Sequence, residues 1–471
     1  MTTVMLARLL LAALVAVAAI WVSRRVGERL GWRPAGPLVV LAATPLVPNL
    51  SIALGFSTDD VLPIMGVVLG LATIDVRRWR SSGWPGLVIA GAVLAVVAGV
   101  VSSVANATSP VDGLSMALKS VGHLALLGLV GTVAALSMPG DRRQRVVAWT
   151  VAVVGTFEAA FGIVAWLLPL PWGAGIEPSR PLTSLYGKVG GRISGTTGLS
   201  PDVIGVIFVL SIPLTVALAL GATDTRQRRL WWLAVGLQFV ALALTYTRTS
   251  LVIAAVIAAV LLVMARSFRP LLLAGAVVVV MALVTPLGAR LVGDANDRMA
   301  LWTSAVRMME DHPLTGVGPG KTGQVAADSP DRYQVTPYGR ATSSAHNVVL
   351  LAGAETGLIG LVGTALMVAG AGAAALIVVV RGAMRARARG SSNAPPIAVA
   401  GALAVLGFLV QAMTNNLLTV EVSSVMATLL LGTFLLPARP LRQGVADILG
   451  FDPALRGRGS VHPEGGGQGH A

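Results

Sequence analysis

Runs of about twenty apolar residues recur along this chain with only short connections between them, and such runs leave the backbone few options. In hydrocarbon every N–H and C=O must be bonded within the protein, so only helices and closed barrels can span a bilayer. Barrel strands would alternate polar and apolar residues at about every second position, and these runs do not. They read as spanning helices near 4–22, 36–55, 60–75, 85–103, 114–136, 146–170, 202–221, 230–247, 249–265, 271–289, 352–380, 397–414 and 420–436. The expected fold class is all-α, a polytopic transmembrane bundle of about 12–13 spans over residues 1–436, with a cytoplasmic, largely disordered tail over 437–471. Only 12% of residues are charged, which excludes a soluble multidomain protein.

A net charge of +14 raises the question of nucleic acid, but the basic residues follow topology and form no continuous patch. Arg24 to Arg33, Arg77 to Arg80, Arg142 to Arg145, Arg226 to Arg229, Arg266 with Arg269, and Arg381 to Arg389 occupy every second connection. The positive-inside rule makes those loops cytoplasmic and puts the long connections near 171–201 and 290–345 outside. Thirteen spans would also put the N-terminus outside. The first span has a signal-peptide-like apolar core, but it lacks a convincing cleavage site and is kept as a span. The chain has no cysteine, so neither disulfides nor thiolate metal sites are available.

The loop over 290–345 is unusually long for a compact bundle, and loops of that length are mostly functional or disordered. Met299, Trp302, Val306 and Met309 recur in it at helical spacing, with Asp297, Arg298, Arg307 and Glu310 between them. They predict an amphipathic helix lying at the outer interface with Trp302 as anchor; the plainer reading is a helix that only caps the bundle. His312 and Pro313 should end it, and Gly316, Gly318 and Gly320 should form a flexible, turn-rich segment.

The stretch "SSAHNVVLLAGAETGLIG" follows, with His346 and Asn347 just ahead of a span in a chain that has five histidines. On a regular helix His346, Gly353, Gly357 and Gly360 would share one face, with Gly353 and Gly357 forming a G-x-x-x-G seam for a neighbouring helix. Glu355 would then lie on roughly the opposite face and form no obvious acid/base pair with His346, so it reads either as a helix-helix hydrogen bond or interfacial carboxylate or as a catalytic group. Two outer arginines stand out: Arg192 in a Gly/Ser/Thr-rich stretch before a span, and Arg248 in "TYTRTSL" between two apolar runs. Guanidinium groups suit phosphate, and the adjacent helix starts offer free N–H groups. Within the spans, Lys119, His123 and Glu158 read either as an ion path or as a buried pair that fixes helix packing. No nucleotide, zinc or hydrolase motif is present, so no cofactor and no metal are expected.

These residues give the chain a family likeness. It resembles the O-antigen ligase and polymerase superfamily of membrane glycosyltransferases. The likeness rests on "RISGTTGLSPDVIG", on "TYTRTSL", on the run Arg298, Trp302, Ala305, Pro313, Gly316, Gly318 and Gly320, and on "SSAHNVVLLAGAETGLIG". Asp202 after Pro201, where asparagine is common, and Thr247 before Arg248, where serine is common, depart from the pattern. The resemblance implies a GT-C-like bundle. It also implies metal-independent, inverting transfer of a glycan from a polyprenyl diphosphate carrier to a glycan or glycolipid acceptor hydroxyl, outside the cytoplasmic membrane. His346 would then be catalytic, activating or orienting the acceptor. Arg192 and Arg248 would hold the diphosphate, and Arg332, Arg340, Asn347 and Glu355 are further candidate substrate contacts. Membrane lipid is an expected partner and nucleic acid is not. A flippase of lipid-linked glycans is the alternative from another class, a non-catalytic scaffold is a third, and ligase and polymerase are not separated.

Overall fold

The computed structural model describes residues 35–46, 51–53, 56–71, 84–137, 140–168, 175–177, 182–184, 187–189, 192–196, 200–266, 296–333, 345–388, 397–415, 417 and 421–436. The expected spans near 4–22 and 271–289, the tail and Arg340 lie outside the described residues. The helices are α1 (Ala35–Ala43), α2 (Thr58–Leu71), α3 (Gly86–Ala105), α4 (Pro110–Ala117), α5 (His123–Leu136), α6 (Gly140–Leu167), α7 (Pro201–Gly221), α8 (Thr225–Leu244) and α9 (Arg248–Met264). They continue with α10 (Asn296–Asp311), α11 (Thr322–Asp328), α12 (Pro330–Tyr333), α13 (Val348–Ala388), α14 (Ile397–Ala412) and α15 (Glu421–Phe434). Among the described residues five helices, α3, α4 continued into α5, α6, α7 and α13, are long and apolar enough to cross a membrane, and shorter apolar helices accompany them. The chain is an all-α multi-pass bundle.

The helix α7 is the hub. It is apolar all round, and 94% of its apolar window is buried, so it faces protein on every side and lipid on almost none. The helices α6, α8, α9 and α14 surround it. Apolar burial drives little helix association in lipid, so contacts there depend on close approach and polar bonds. Both occur. A Cβ on Gly155 of α6 would lie 2.2 Å from Ser211 Oγ, and Gln238 of α8 donates to Thr215 and Thr156 at 3.0 Å while accepting from Ser211 at 2.8 Å. The antiparallel pair α3 and α13 closes in the same way, with Gly91 against the Gly363 carbonyl and Gly370 against the Val88 backbone.

Several expectations need correction. The run expected to span 36–55 is helical only to Ala43, followed by a 3-10 turn over Thr44–Leu46 and the short strand β1 (Ser51–Ala53), which pairs with β2 (Phe56–Ser57). Pro45 and Pro48 explain this, because neither can donate to a continuing helix. The connection near 171–201 carries short antiparallel strands, β3 (Gly175–Glu177) with β6 (Arg192–Gly195) and β4 (Leu182–Ser184) with β5 (Gly187–Val189). Lys119 and Glu158 are not a pair. Glu158 is fully buried and accepts the Thr196 N–H at 2.9 Å and the Thr196 hydroxyl, so it anchors the end of β6. Lys119 lies within a π-turn over Leu118–Gly122 that His123 follows, and His123 Nε2 contacts Ser424 Oγ at 3.4 Å.

The glycine seam also differs. At Gly357 the φ of 72° and ψ of −170° break α13, so the four residues do not line one regular face. His346 precedes the helix altogether, with a φ of 47°. The seam seats a loop where a neighbouring span was expected. A Cβ on Gly357 would lie 2.6 Å from Pro313 O, and one on Gly353 would lie 2.8 Å from Met309 Sδ.

Candidate active site

The amphipathic helix α10 forms as expected, but its buried stripe is turned from the one expected. Leu301, Ala305 and Met308 are buried, whereas Met299 is 58% exposed. That stripe packs on Val317, Ala326, Tyr333, Ala345, Leu351 and Ala354, so the protein itself receives the face assigned to the membrane interface. Behind α10 the glycine segment is pinned, contrary to the expected flexibility. Val317 donates to Ala354 O at 2.9 Å, Gly318 to Glu355 O at 3.0 Å, and Leu358 returns a bond to Pro313 O at 2.8 Å. These carbonyls and the Leu358 N–H are groups that an unbroken helix would use internally, so the break at Gly357 frees them for the loop. Ser102 donates to Glu355 O at 2.7 Å and Asn106 to Gly316 O at 3.2 Å, tying the knot to α3. Lys321 adds an ion pair with Asp112 at 2.7 Å.

The sequence candidates take up distinct stations around this loop. The Glu355 carboxylate accepts the Gly320 N–H and faces Lys119. Asn347 is the N-cap of α13: its Oδ1 accepts the Val349 and Leu350 N–H groups at 3.0 and 3.1 Å. Arg332 makes a bidentate pair with Asp311, at 3.0 and 2.7 Å, and its carbonyl receives Arg307 at 3.0 Å. Together with the Tyr333 hydroxyl, Arg332 holds the Asp311 carboxyl below the usual carboxylate range, at about 2. So Arg332 clamps α12 to the end of α10.

Arg192, Arg248 and His346 are brought together at the end of the bundle opposite the arginine clusters of α6, α8 and α13. Arg192 starts β6, and its Nε donates to Thr245 O at 2.9 Å while Nη2 pairs with Asp202 at 3.2 Å. It therefore bridges the first turn of α7 and the turn ahead of α9, whose first residue is Arg248. These two helix starts abut, because a Cβ on Gly205 would lie 2.6 Å from both Thr247 Oγ1 and Ser250 Oγ. Neither start has a side-chain cap, so amide N–H groups and two positive helix ends collect beside the Arg192 guanidinium, with Arg248 the first residue of α9. Gln411 of α14 donates to Ser250 Oγ at 2.5 Å, and one turn further Asn415 Oδ1 lies 3.3 Å from His346 Nδ1. Of the three described non-glycine residues with positive φ, Tyr246 and His346 belong to this corner. Strained backbone of this kind gathers where geometry serves function.

Sequence reasoning missed Thr245, Gln411 and Asn415. The available signal was "QAMTNNLL", polar residues packed between two apolar runs. Among the described residues no three His, Asp or Glu side chains gather to hold a metal ion.

The apolar helices of the bundle define the class as a multi-pass membrane protein. Residues 233–365 match the family model described as O-antigen ligase. That segment runs from within α8, through Arg248, α10 and His346, to just past the break in α13, and over it the chain is similar to the O-antigen ligase superfamily. No curated protein matches the chain. Glycan transfer is the general activity that goes with the domain.

Proposed function

We propose that the protein transfers a glycan from a polyprenyl diphosphate to an acceptor hydroxyl at the outer face of the cytoplasmic membrane, with inversion and without a metal. The observation that carries this reading is the abutment of the α7 and α9 starts between Arg192 and Arg248, with His346 tethered to the same corner through Asn415, Gln411 and Ser250. Charge grows on the diphosphate as its bond to the anomeric carbon breaks. Fixed N–H dipoles and guanidiniums aimed there stabilise the transition state more than the ground state. An imidazole, with an ordinary pKa of about 6.5, suits removal of the acceptor proton. The diphosphate is a good leaving group, so acid catalysis is not needed. Arg332 and Asn347 serve by shaping the loop and the helix start, and Glu355 by seating the glycine segment.

The test is transfer by the purified chain in nanodiscs, using a polyprenyl-diphosphate oligosaccharide, an acceptor panel and EDTA. Transfer should survive EDTA. His346→Ala should lower kcat by about 10²- to 10⁴-fold, and Arg248→Ala by about 10²-fold. A wild type that binds the donor, never transfers it and instead moves it between leaflets would replace this reading with a flippase.

A further inference from the structure

The contact between His346 and Asn415 fixes more than position. Asn415 is buried, 7% exposed, and sits in the turn that closes α14, where Met413 donates to Val410 O and Thr414 to Gln411 O. On the other side the ring is aimed by a left-handed backbone directly ahead of the α13 cap. The Asn415 atom that faces Nδ1 is Oδ1, at 3.3 Å. An amide oxygen only accepts, so this contact is a hydrogen bond when the ring nitrogen opposite it carries the hydrogen.

We propose that Asn415 is a positioning residue that holds His346 in the Nδ1–H tautomer, leaving the lone pair on Nε2 to take the acceptor proton. The identity of that proton rests on the glycan-transfer reading above, and the tautomer does not. In the step, Nε2 binds the hydroxyl proton while the oxygen's electron pair forms the bond to the anomeric carbon. The bond from that carbon to the diphosphate oxygen breaks, and its pair leaves with the diphosphate. The imidazolium then retains its Nδ1–H bond to Oδ1, so the ring does not turn during the reaction. Gln411 lies one helical turn before Asn415 and donates to Ser250 in the first turn of α9. The element that orients the base is thereby tied to the helix that Arg248 begins.

The test pairs a spectrum with a rate, on the full chain in nanodiscs. With 15N-histidine labelling and magic-angle spinning, His346 is assigned by the signals lost in His346→Gln. Wild type above pH 8 should show a protonated Nδ1 and an unprotonated Nε2. Asn415→Asp, which keeps an acceptor oxygen, should retain that pattern and most of the transfer rate. Asn415→Ala should mix the tautomers and lower kcat by about 10- to 100-fold, with the donor KM nearly unchanged. A wild-type ring protonated on Nε2, or a spectrum that Asn415→Ala leaves unaltered, overturns the proposal. A wild type without transfer but with the expected spectrum overturns the glycan-transfer reading alone.

Discussion

Replacing Gly357 with alanine tests whether the break in α13 is what holds the glycine-bearing loop that follows α10. Its φ of 72° with ψ of −170° belongs to a region that is essentially glycine's own, and a side chain kept there costs about 1–3 kcal/mol. The new Cβ would also press on the Pro313 and Leu314 carbonyls at 2.6 and 2.7 Å, which are backbone atoms and cannot rotate away. The other escape is for the break to heal. Leu358 would then bond within the helix and release Pro313, and Ala354 and Glu355 would withdraw from Val317 and Gly318. Three bonds at about 1 kcal/mol net are lost and one or two are regained, a net loss of up to about 2 kcal/mol. On either route, hydrogen exchange at Val317 and Gly318 should speed up, by as much as roughly 30-fold, since about 1.4 kcal/mol is a factor of ten. Gly353→Ala is the control. There the Cβ meets Met309 Sδ and Leu361 Cδ1, the far ends of flexible side chains, and exchange should change by less than about 10-fold. Wild-type exchange at both amides in Gly357→Ala would refute the reasoning.

Three further outcomes are expected. Asn347→Ala should cost about 1 kcal/mol in denaturant unfolding, whereas Asn347→Asp should keep both the cap and transfer activity; activity lost in a stable aspartate variant would point to substrate contact instead. Asp311 is held at about 2, first by the Arg332 hydrogen bonds and then by Tyr333, so its contribution is present above the ordinary carboxylate range and lost as pH falls towards 2. A 13C titration of its carboxyl should find that low midpoint, and Arg332→Ala should move it back up. Glu158→Leu leaves the Thr196 N–H without its acceptor at the end of the strand that begins with Arg192, so the donor KM should rise more than kcat falls; an unchanged KM would uncouple that strand from donor binding.

Most of the described apolar helices were legible because a long apolar run without alternation can only be helical in lipid, and α10 was legible because its charges alternate with apolar residues at helical spacing. Arg192, Arg248 and His346 stood out as polar groups set against apolar runs, and the structure brings them to one corner. What periodicity could not disclose was departure from periodicity. A helix broken at Gly357 and a regular one have the same composition, and the choice is made by bonds to Pro313, Val317 and Gly318, some forty residues upstream. Asn415 escaped for the complementary reason. Its importance lies in a side-chain contact across 69 positions, and no local pattern encodes that.

The enclosure of α7 has a consequence for biogenesis. Its hydropathy of 2.7 lets it enter the bilayer alone, yet one of the helices that finally covers it, α14, begins only at Ile397. At about 5–20 residues per second, synthesis leaves that flank of α7 against lipid for roughly 10–35 s. Insertion and assembly are therefore separate events for this helix, and the Thr215 hydroxyl has the Ser211 carbonyl of α7 itself as acceptor, whereas the Ser211 hydroxyl waits for Gln238 of α8. A chain stalled before Ile397 would present a finished hydrophobic rod with an unfinished partner set, the state that membrane quality control is best placed to recognise.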